Sequence, residues 1–115
     1  MLYAKVVVGL AVSGPFDYII EPSLAAKVKV GTRVWVNFGS RRIVGYVVDL
    51  SKKSAIKNLK PILEVIDESP ILDKSLLLLT RELADYYCCS WGEAIETAIP
   101  EDLRKGKKID SRINP

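Results

Sequence analysis

The hydrophobic pattern of this 115-residue chain changes its period once, near residue 70, and this change limits the possible folds more than any other feature. Before it, apolar and polar residues alternate with a period of two, as strands require. After it, apolar residues recur at helical spacing. We therefore predict an α+β fold on a single core, with a β part over about residues 1–66 and a helical part over about 73–100.

Short segments rich in β-branched and aromatic residues, separated by turn residues, predict the strands. They cover Tyr3–Leu10, Phe16–Ile20, Arg33–Phe38, Ile43–Leu50 and Ile62–Ile66. A single helical turn at Ser23–Lys27, capped by Ser23, is expected between the second and third. Gly45 inside the fourth segment suggests a bulge or a sharp bend. These spacings predict a small bent sheet or a partly open barrel.

Two helices are expected after the strands and packed on the sheet. Asp73 can cap a first helix from Lys74 to about Tyr87. The apolar residues at helical spacing in this helix, which we expect to face the sheet, are Leu76, Leu79, Leu83 and Tyr87. A second helix is predicted from Trp91 or Gly92 to Ile99, capped by Ser90 and ended by Pro100. We assign residues 1–104 to one domain and 105–115 to a basic tail or linker.

The chain contains no histidine, so it lacks the commonest general base at neutral pH. It also carries neither a G-x-x-x-x-G-K-[ST] nor a G-x-G-x-x-G loop for phosphates. Its two cysteines, Cys88 and Cys89, are adjacent, which disfavours a disulfide and makes a poor zinc site. We expect two thiols packed near a helix end. We expect no catalytic residue, metal or cofactor in this chain.

The longest unbroken apolar run, Leu76–Leu79, is far too short to cross a bilayer. The amino terminus alternates like a strand and lacks the basic leader of a signal peptide. We therefore expect a cytoplasmic protein without membrane partners.

Charge is distributed unevenly, although the net charge is only +3. From residue 33 to residue 60 there are seven basic residues and one acid, Asp49. From residue 64 to residue 102 there are ten acids and two basic residues, Lys74 and Arg81. The first segment favours a polyanionic partner, although an ordinary solvated face has the same composition.

Several short motifs in order resemble one known family over roughly residues 3–104. They include Phe16-Asp17-Tyr18, Gly31-Thr32-Arg33-Val34-Trp35-Val36-Asn37-Phe38-Gly39, Gly45-Tyr46-Val47-Val48, Leu59-Lys60-Pro61-Ile62, Ser69-Pro70-Ile71-Leu72 and Ala84-Asp85-Tyr86-Tyr87. Each motif alone is a weak signal, and their common order makes the set specific. Together they resemble the amino-terminal domain of the PriA family of primosomal replication-restart helicases. The resemblance implies a domain that binds the 3′ end of single-stranded DNA at stalled forks. Helicase lobes that use ATP and a zinc-binding region are implied for other parts of such proteins, and these lobes and other primosome proteins are implied as partners.

The resemblance also implies the residues of the DNA site. They are Phe16, Asp17, Tyr18, Gly39 and Lys60. A carboxylate can accept a hydrogen bond from a 3′-hydroxyl and repels a 3′-phosphate. Aromatic rings two residues apart in a strand share a face and can stack on any base. Further cations that we expect to attract the DNA backbone are Arg41, Arg42, Lys52, Lys53 and Lys57.

Each of these residues also has an ordinary structural explanation. Asp17 can bond nearby backbone amides, both rings can be core, Gly39 can be a turn glycine and Lys60 can be solvated. We expect one ring to be mainly structural, with Phe16 favoured over Tyr18. Two other functions remain open: a protein–protein docking module built on the acidic helical half, and a nucleic-acid-binding barrel without end specificity.

Overall fold

The computed structural model describes residues 2–109. It contains five strands: β1 (Leu2–Val8), β2 (Phe16–Ile20), β3 (Arg33–Phe38), β4 (Arg41–Ser51) and β5 (Glu64–Val65). The helices are α1 (Lys74–Tyr87), α2 (Trp91–Ala98) and α3 (Glu101–Arg104), with a short 3-10 turn at Pro22–Leu24. The predicted α+β order is confirmed.

All strand pairs in the sheet are antiparallel, in the order β2-β1-β4-β3-β5. The sheet is bent and is not closed into a barrel. A single parallel bridge between Ile19 and Pro61 joins β2 to the segment that precedes β5. This bridge holds both edges of the sheet around one apolar cluster, which contains Ala4, Val6, Val8, Tyr18, Ile20, Val34, Val36 and Val47.

A second apolar cluster lies between the other sheet face and the helices. Its buried members are Val7, Val44, Tyr46, Ile66, Leu72, Leu77, Ile95 and Ile99. Helix α2 packs directly on β1, and α1 packs on α2. The two clusters explain why β1 reads as a nearly continuous apolar run, because both of its faces are covered.

The bulge in the sheet does not lie at Gly45, the residue that was expected to cause it. The β1–β4 register shifts between Lys5 and Val6, opposite Val47 and Asp49. Gly45 itself pairs regularly with Val34, and a Cβ there would lie 2.4 Å from a methyl carbon of Val6. Gly45 is therefore explained by close packing and not by a bulge.

The predicted buried face of α1 is confirmed at Leu76, which is half-buried and packs against the second cluster, and is wrong by one residue in the rest of the helix. Leu77, Thr80 and Ala84 are the buried positions, whereas Leu79 and Tyr87 are 51% and 69% exposed. Four consecutive leucines allow more than one stripe, and the small residues decide the contact. Thr80 lets α2 approach closely enough for the indole N–H of Trp91 to donate to its hydroxyl at 3.1 Å.

The capping predictions for α1 and α2 are confirmed. The Asp73 carboxylate accepts from the amide of Leu76, and Ser90 and Glu93 form a reciprocal capping box. The helical turn after β2 is a 3-10 turn that begins at Pro22 without a side-chain cap, so the predicted cap at Ser23 is wrong.

The cysteines are placed differently from the prediction, because both are exposed and not packed. Cys88 has a φ of 54° and ends α1 in the left-handed conformation that glycine usually supplies.

Within residues 2–109, no helix is long and apolar enough to span a membrane, and no cluster of three potential metal-ligating side chains occurs. The domain boundary at residue 104 stays a prediction. Of the predicted tail, residues 110–115 lie outside the described part of the chain.

Arg33, one of the seven basic residues between residues 33 and 60, is completely buried. Its guanidinium donates to both carboxylate oxygens of Asp67 and, at 2.8 Å each, to the carbonyls of Leu103 and Lys107. The backbone amide of Arg33 also donates to Asp67 at 2.9 Å. This network ties β3 to the segment after β5 and to the end of α3.

Removing one member of the buried Arg33–Asp67 ion pair should destabilise the domain strongly. We expect Asp67→Leu to lower the free energy of unfolding by about 3–5 kcal/mol, because it leaves a buried guanidinium without its counter-charge. The double variant Arg33→Met/Asp67→Leu should be more stable than Asp67→Leu alone. Urea denaturation of both variants tests this, and a single variant as stable as the wild type would contradict it.

The close packing of α2 on β1 leads to a second prediction about stability. A Cβ on Gly92 would lie 1.7 Å from the carbonyl oxygen of Val8, a backbone atom that cannot rotate away. Gly92→Ala should therefore cost about 1–3 kcal/mol or more of stability, although alanine favours helices. Thr97→Ala, at an exposed position of the same helix, is the control and should change the urea midpoint little. An unchanged midpoint for Gly92→Ala would show that α2 does not pack this closely.

Candidate nucleic-acid interface

The alternation of β2 divides the Phe16-Asp17-Tyr18 motif between the two faces of the sheet. Phe16 and Tyr18 point into the cluster enclosed by the bent sheet. The ring of Phe16 meets that of Phe38 edge to face, with centroids 5.2 Å apart. The hydroxyl of Tyr18 donates to the carbonyl of Asn37 at 2.9 Å. Both contacts join β2 to the end of β3.

The order of burial of the two rings is opposite to the expectation. Tyr18 is 5% exposed and its burial raises the pKa of the phenol, whereas Phe16 is only half-buried. Tyr18 is therefore the mainly structural ring, and Phe16 is the one with an accessible surface.

Asp17 lies on the opposite face, where its carboxylate has two side-chain partners. The ammonium of Lys5, directly opposite on β1, donates to one oxygen at 3.0 Å, and the hydroxyl of Ser54 donates to the other at 2.7 Å. The Asp17 side chain is 10% exposed. These partners belong to β1 and to the loop after β4, so the carboxylate is not bonded to its own backbone.

The pKa of Asp17 is held below its ordinary value. The largest cause is the hydrogen bond from Ser54, which outweighs the opposing effect of desolvation, and Lys5 lowers the pKa further. Asp17 is therefore an anion at neutral pH. Each carboxylate oxygen has two acceptor positions, so one remains on each oxygen after these two bonds.

The backbone of Asp17 faces the outer edge of the sheet. Two residues further along, the amide of Ile19 donates outward to the carbonyl of Lys60 at 3.0 Å, and the carbonyl of Ile19 accepts from Ile62 at 2.9 Å. Alternate residues of an antiparallel strand direct their backbone groups to the same side. The amide and carbonyl of Asp17 therefore also point away from β1.

Gly39 and Lys60 are brought together at the tip of the β3–β4 hairpin. The Lys60 ammonium donates to the Gly39 carbonyl at 2.9 Å. Gly39 has a φ of 62°, and the space where a side chain would lie is open. Since the Lys60 backbone also bonds β2, the site residues Phe16, Tyr18, Gly39 and Lys60 adjoin one another, with Asp17 reached around the edge of β2.

The additional cations lie on both sides of this region and all are exposed. Arg42 stacks over the Trp35 ring at 4.9 Å and pairs with Glu64 at 3.3 Å, both exposed at the surface. The loop after β4 carries Lys52, Lys53 and Lys57 beside Ser54. Exposed cations of this kind supply sequence-independent attraction to phosphates.

Sequence reasoning missed the partners of Asp17. Lys5 could have been found only from the β1–β2 register, which the sequence pattern did not fix. Ser54 lies in a polar loop, and no sequence signal marks it.

Comparisons with known proteins identify one family. The family model for the 3′ DNA-binding domain of PriA matches residues 5–100. The chain is 31% identical over 98% of its length to the replication restart protein PriA of Bacillus subtilis, and 33% identical over 87% of its length to that of Haemophilus influenzae. It is also 31% identical over 78% of its length to that of Treponema pallidum. The chain spans about 15% of the length of these relatives.

The network around Asp17 predicts a measurable titration. Ser54→Ala should raise the pKa of Asp17, because it removes the hydrogen bond that lowers this pKa most. In the wild type, the folded pKa lies below the unfolded value of about 3.9, so the stabilisation by this carboxylate is present above that pH and is lost as pH falls through the folded pKa. Carboxyl-carbon NMR titration of both proteins measures the shift. An identical pKa in both would show that Ser54 does not bond the carboxylate.

Proposed function

Because this chain belongs to the family of PriA 3′ DNA-binding domains, we propose that it binds the 3′ end of single-stranded DNA in replication restart, with the free 3′-hydroxyl at Asp17. The observation that carries the proposal is the charged Asp17 carboxylate on one face of the edge strand β2, with acceptor positions left after Lys5 and Ser54 are bonded.

A strand end differs from an internal nucleotide by the hydrogen of its terminal hydroxyl. A carboxylate accepts that hydrogen, finds no donor when another nucleotide follows, and repels a terminal phosphate. Lys5 and Ser54 hold the carboxylate in one orientation before DNA arrives, so little ordering remains to be done on binding. Desolvation at a side chain that is 10% exposed strengthens the discrimination.

The base and sugar would be bound on the other side of the β2 edge. The half-buried ring of Phe16 supplies an apolar surface, and base stacking on an aromatic ring is worth about 1–3 kcal/mol. The open space at Gly39 admits a nucleotide close to the backbone. Lys60 would exchange its bond to the Gly39 carbonyl for a phosphate or a base edge. Tyr18 would act by holding β2 against β3.

Electrostatic attraction accounts for the rest of the affinity in this proposal. The exposed lysines of the loop after β4 lie beside Ser54, and therefore near the bound end. Contacts of this type weaken with salt and do not read bases. We expect modest affinity with little sequence preference. The chain itself would need no cofactor, and the ATP-dependent helicase activity, zinc site and cytoplasmic, fork-associated role would belong to the longer proteins of the family.

A second function, docking to another protein, is favoured by one specific observation. The outer face of α1 carries several exposed large apolar side chains, Leu78, Leu79, Leu83, Tyr86 and Tyr87. Contiguous apolar surface of this kind usually marks an interaction site. The helicase lobes of the parent protein or other primosome proteins are the partners we propose for it. This function and DNA binding use different faces and can coexist.

Substituting Asp17 separates end recognition from general DNA binding. Asp17→Asn keeps the size of the side chain, and we expect its preference for a 3′-hydroxyl over a 3′-phosphate oligonucleotide to fall about tenfold, because a charge-assisted hydrogen bond and a repulsion are both lost. Fluorescence anisotropy with the two oligonucleotides measures the preference.

The matched control is Asp49→Asn, on the other strand paired with Lys5. It removes a nearby negative charge without touching the proposed hydroxyl site, so its preference should match that of the wild type. If both variants lose the 3′-hydroxyl preference equally, the effect comes from general electrostatics and not from a hydrogen bond at Asp17. If Asp17→Asn keeps the preference, the proposed role of Asp17 is refuted.

A further inference from the structure

A second cleft, separate from the proposed 3′-end site, lies between the β3–β4 hairpin and the end of α3. It has a volume of about 240 Å³, and the residues that line it include Trp35, Arg41, Glu96, Arg104 and Lys105. Arg104 and Lys105 come from the helical half of the chain, so the cleft combines cations that are 63 residues or more apart in sequence.

The cleft is positively charged. Three cations line it, and the single carboxylate, Glu96, already accepts a hydrogen bond from the buried Tyr46 at 2.9 Å. Within residues 2–109, neither Arg41 nor Arg104 has a carboxylate within ion-pair distance. Lys105 pairs with Glu101 at 3.1 Å, but both side chains are about 70% exposed, and such pairs contribute little.

The backbone segment that carries Arg104 and Lys105 is held in place by contacts to the core. The carbonyls of Leu103 and Lys107, on either side of Arg104 and Lys105, both accept from the Arg33 guanidinium. Gly106 lies against the Trp35 ring so closely that a Cβ there would be 2.3 Å from a ring carbon. The segment that carries Arg104 is therefore held by contacts at Leu103, Gly106 and Lys107.

We propose that this cleft binds the phosphate backbone of the same DNA strand, upstream of its 3′ end. The inference rests on the proposed function and extends it. Arg41 follows Gly39 by two residues and pairs with Phe38 across the hairpin, so the hairpin tip joins the two sites. A strand that ends beside Gly39 passes over this tip and meets Arg41, then Arg104. The Trp35 side chain, which carries Arg42 over its ring, also lines the cleft beside these cations.

The length of the oligonucleotide distinguishes DNA binding at this cleft from DNA binding at the end site. A dinucleotide with a 3′-hydroxyl is long enough for the end site alone, whereas an oligothymidine of about 12 nucleotides is long enough to reach further cations. We measure the affinity of the full chain for both by fluorescence anisotropy at several salt concentrations. The variants are Arg104→Gln and Arg41→Gln, with Lys74→Gln, an exposed cation outside the cleft, as control.

For the longer strand, we expect Arg104→Gln and Arg41→Gln each to weaken binding several-fold. Each should also reduce the slope of log affinity against log salt by about 0.7, the value for one phosphate contact in single-stranded DNA. In Arg104→Gln, dinucleotide affinity and the preference for a 3′-hydroxyl should stay at wild-type values. Lys74→Gln should change none of these quantities.

Two results would overturn the proposal. One is an unchanged affinity of Arg104→Gln for the longer strand, and a loss of polyglutamate binding by the same variant would then assign the cleft to an acidic protein. The other is an equal loss for both lengths, which would indicate a structural role. If the wild type binds the longer strand without preferring a 3′-hydroxyl, the proposed function of the end site is refuted. The proposal for the cleft is still tested in that case, because the affinities of the wild type and Arg104→Gln for the longer strand can still be compared.

Discussion

The guanidinium of Arg33 is fully buried, and its partners come from two distant segments of the chain, at Asp67 and at Leu103 and Lys107. A charge in such a place is tolerated only when its hydrogen bonds are satisfied and a counter-charge is present, and Asp67 and two carbonyls meet both conditions. The sheet face that packs on the helices, the segment after β5 and the end of α3 are thereby fixed together. The positions of Trp35, Gly106 and Arg104 all follow from this one network.

Much of the fold could be predicted from hydrophobic period and capping residues. Asp73 and Ser90 define where α1 and α2 begin because each satisfies backbone amides that would otherwise lack partners. The buried face of α1 could not be predicted, since Leu76–Leu79 supplies apolar residues in every direction and Thr80 and Ala84 decide the contact by their small size. The burial of Arg33 is equally invisible in sequence, because Asp67 lies 34 residues away.

For the candidate site, the Phe16-Asp17-Tyr18 motif, Gly39 and Lys60 came from family resemblance. The structure brings these residues together except Asp17, which lies on the opposite face of β2. Chain topology alone determines the rest. Lys5 and Ser54 reach Asp17 from β1 and from the loop after β4, and the β1–β4 register contains an irregularity that no local pattern reveals. Burial likewise reversed the expected roles of the two rings, because Tyr18 can bond Asn37 and Phe16 cannot.

Phe16 and Asp17 lie on opposite faces of one edge strand, and under the proposed function this placement would limit which DNA ends can be bound. A single nucleotide that reaches both must straddle the strand, with its ring on one side and its sugar on the other. A nucleotide that is still paired in a duplex is stacked on its neighbour and cannot adopt this posture. A blunt terminus would first have to open its last pair, which costs a few kcal/mol. Frayed or mismatched termini would avoid that cost, so the strand geometry itself would favour damaged or unfinished ends.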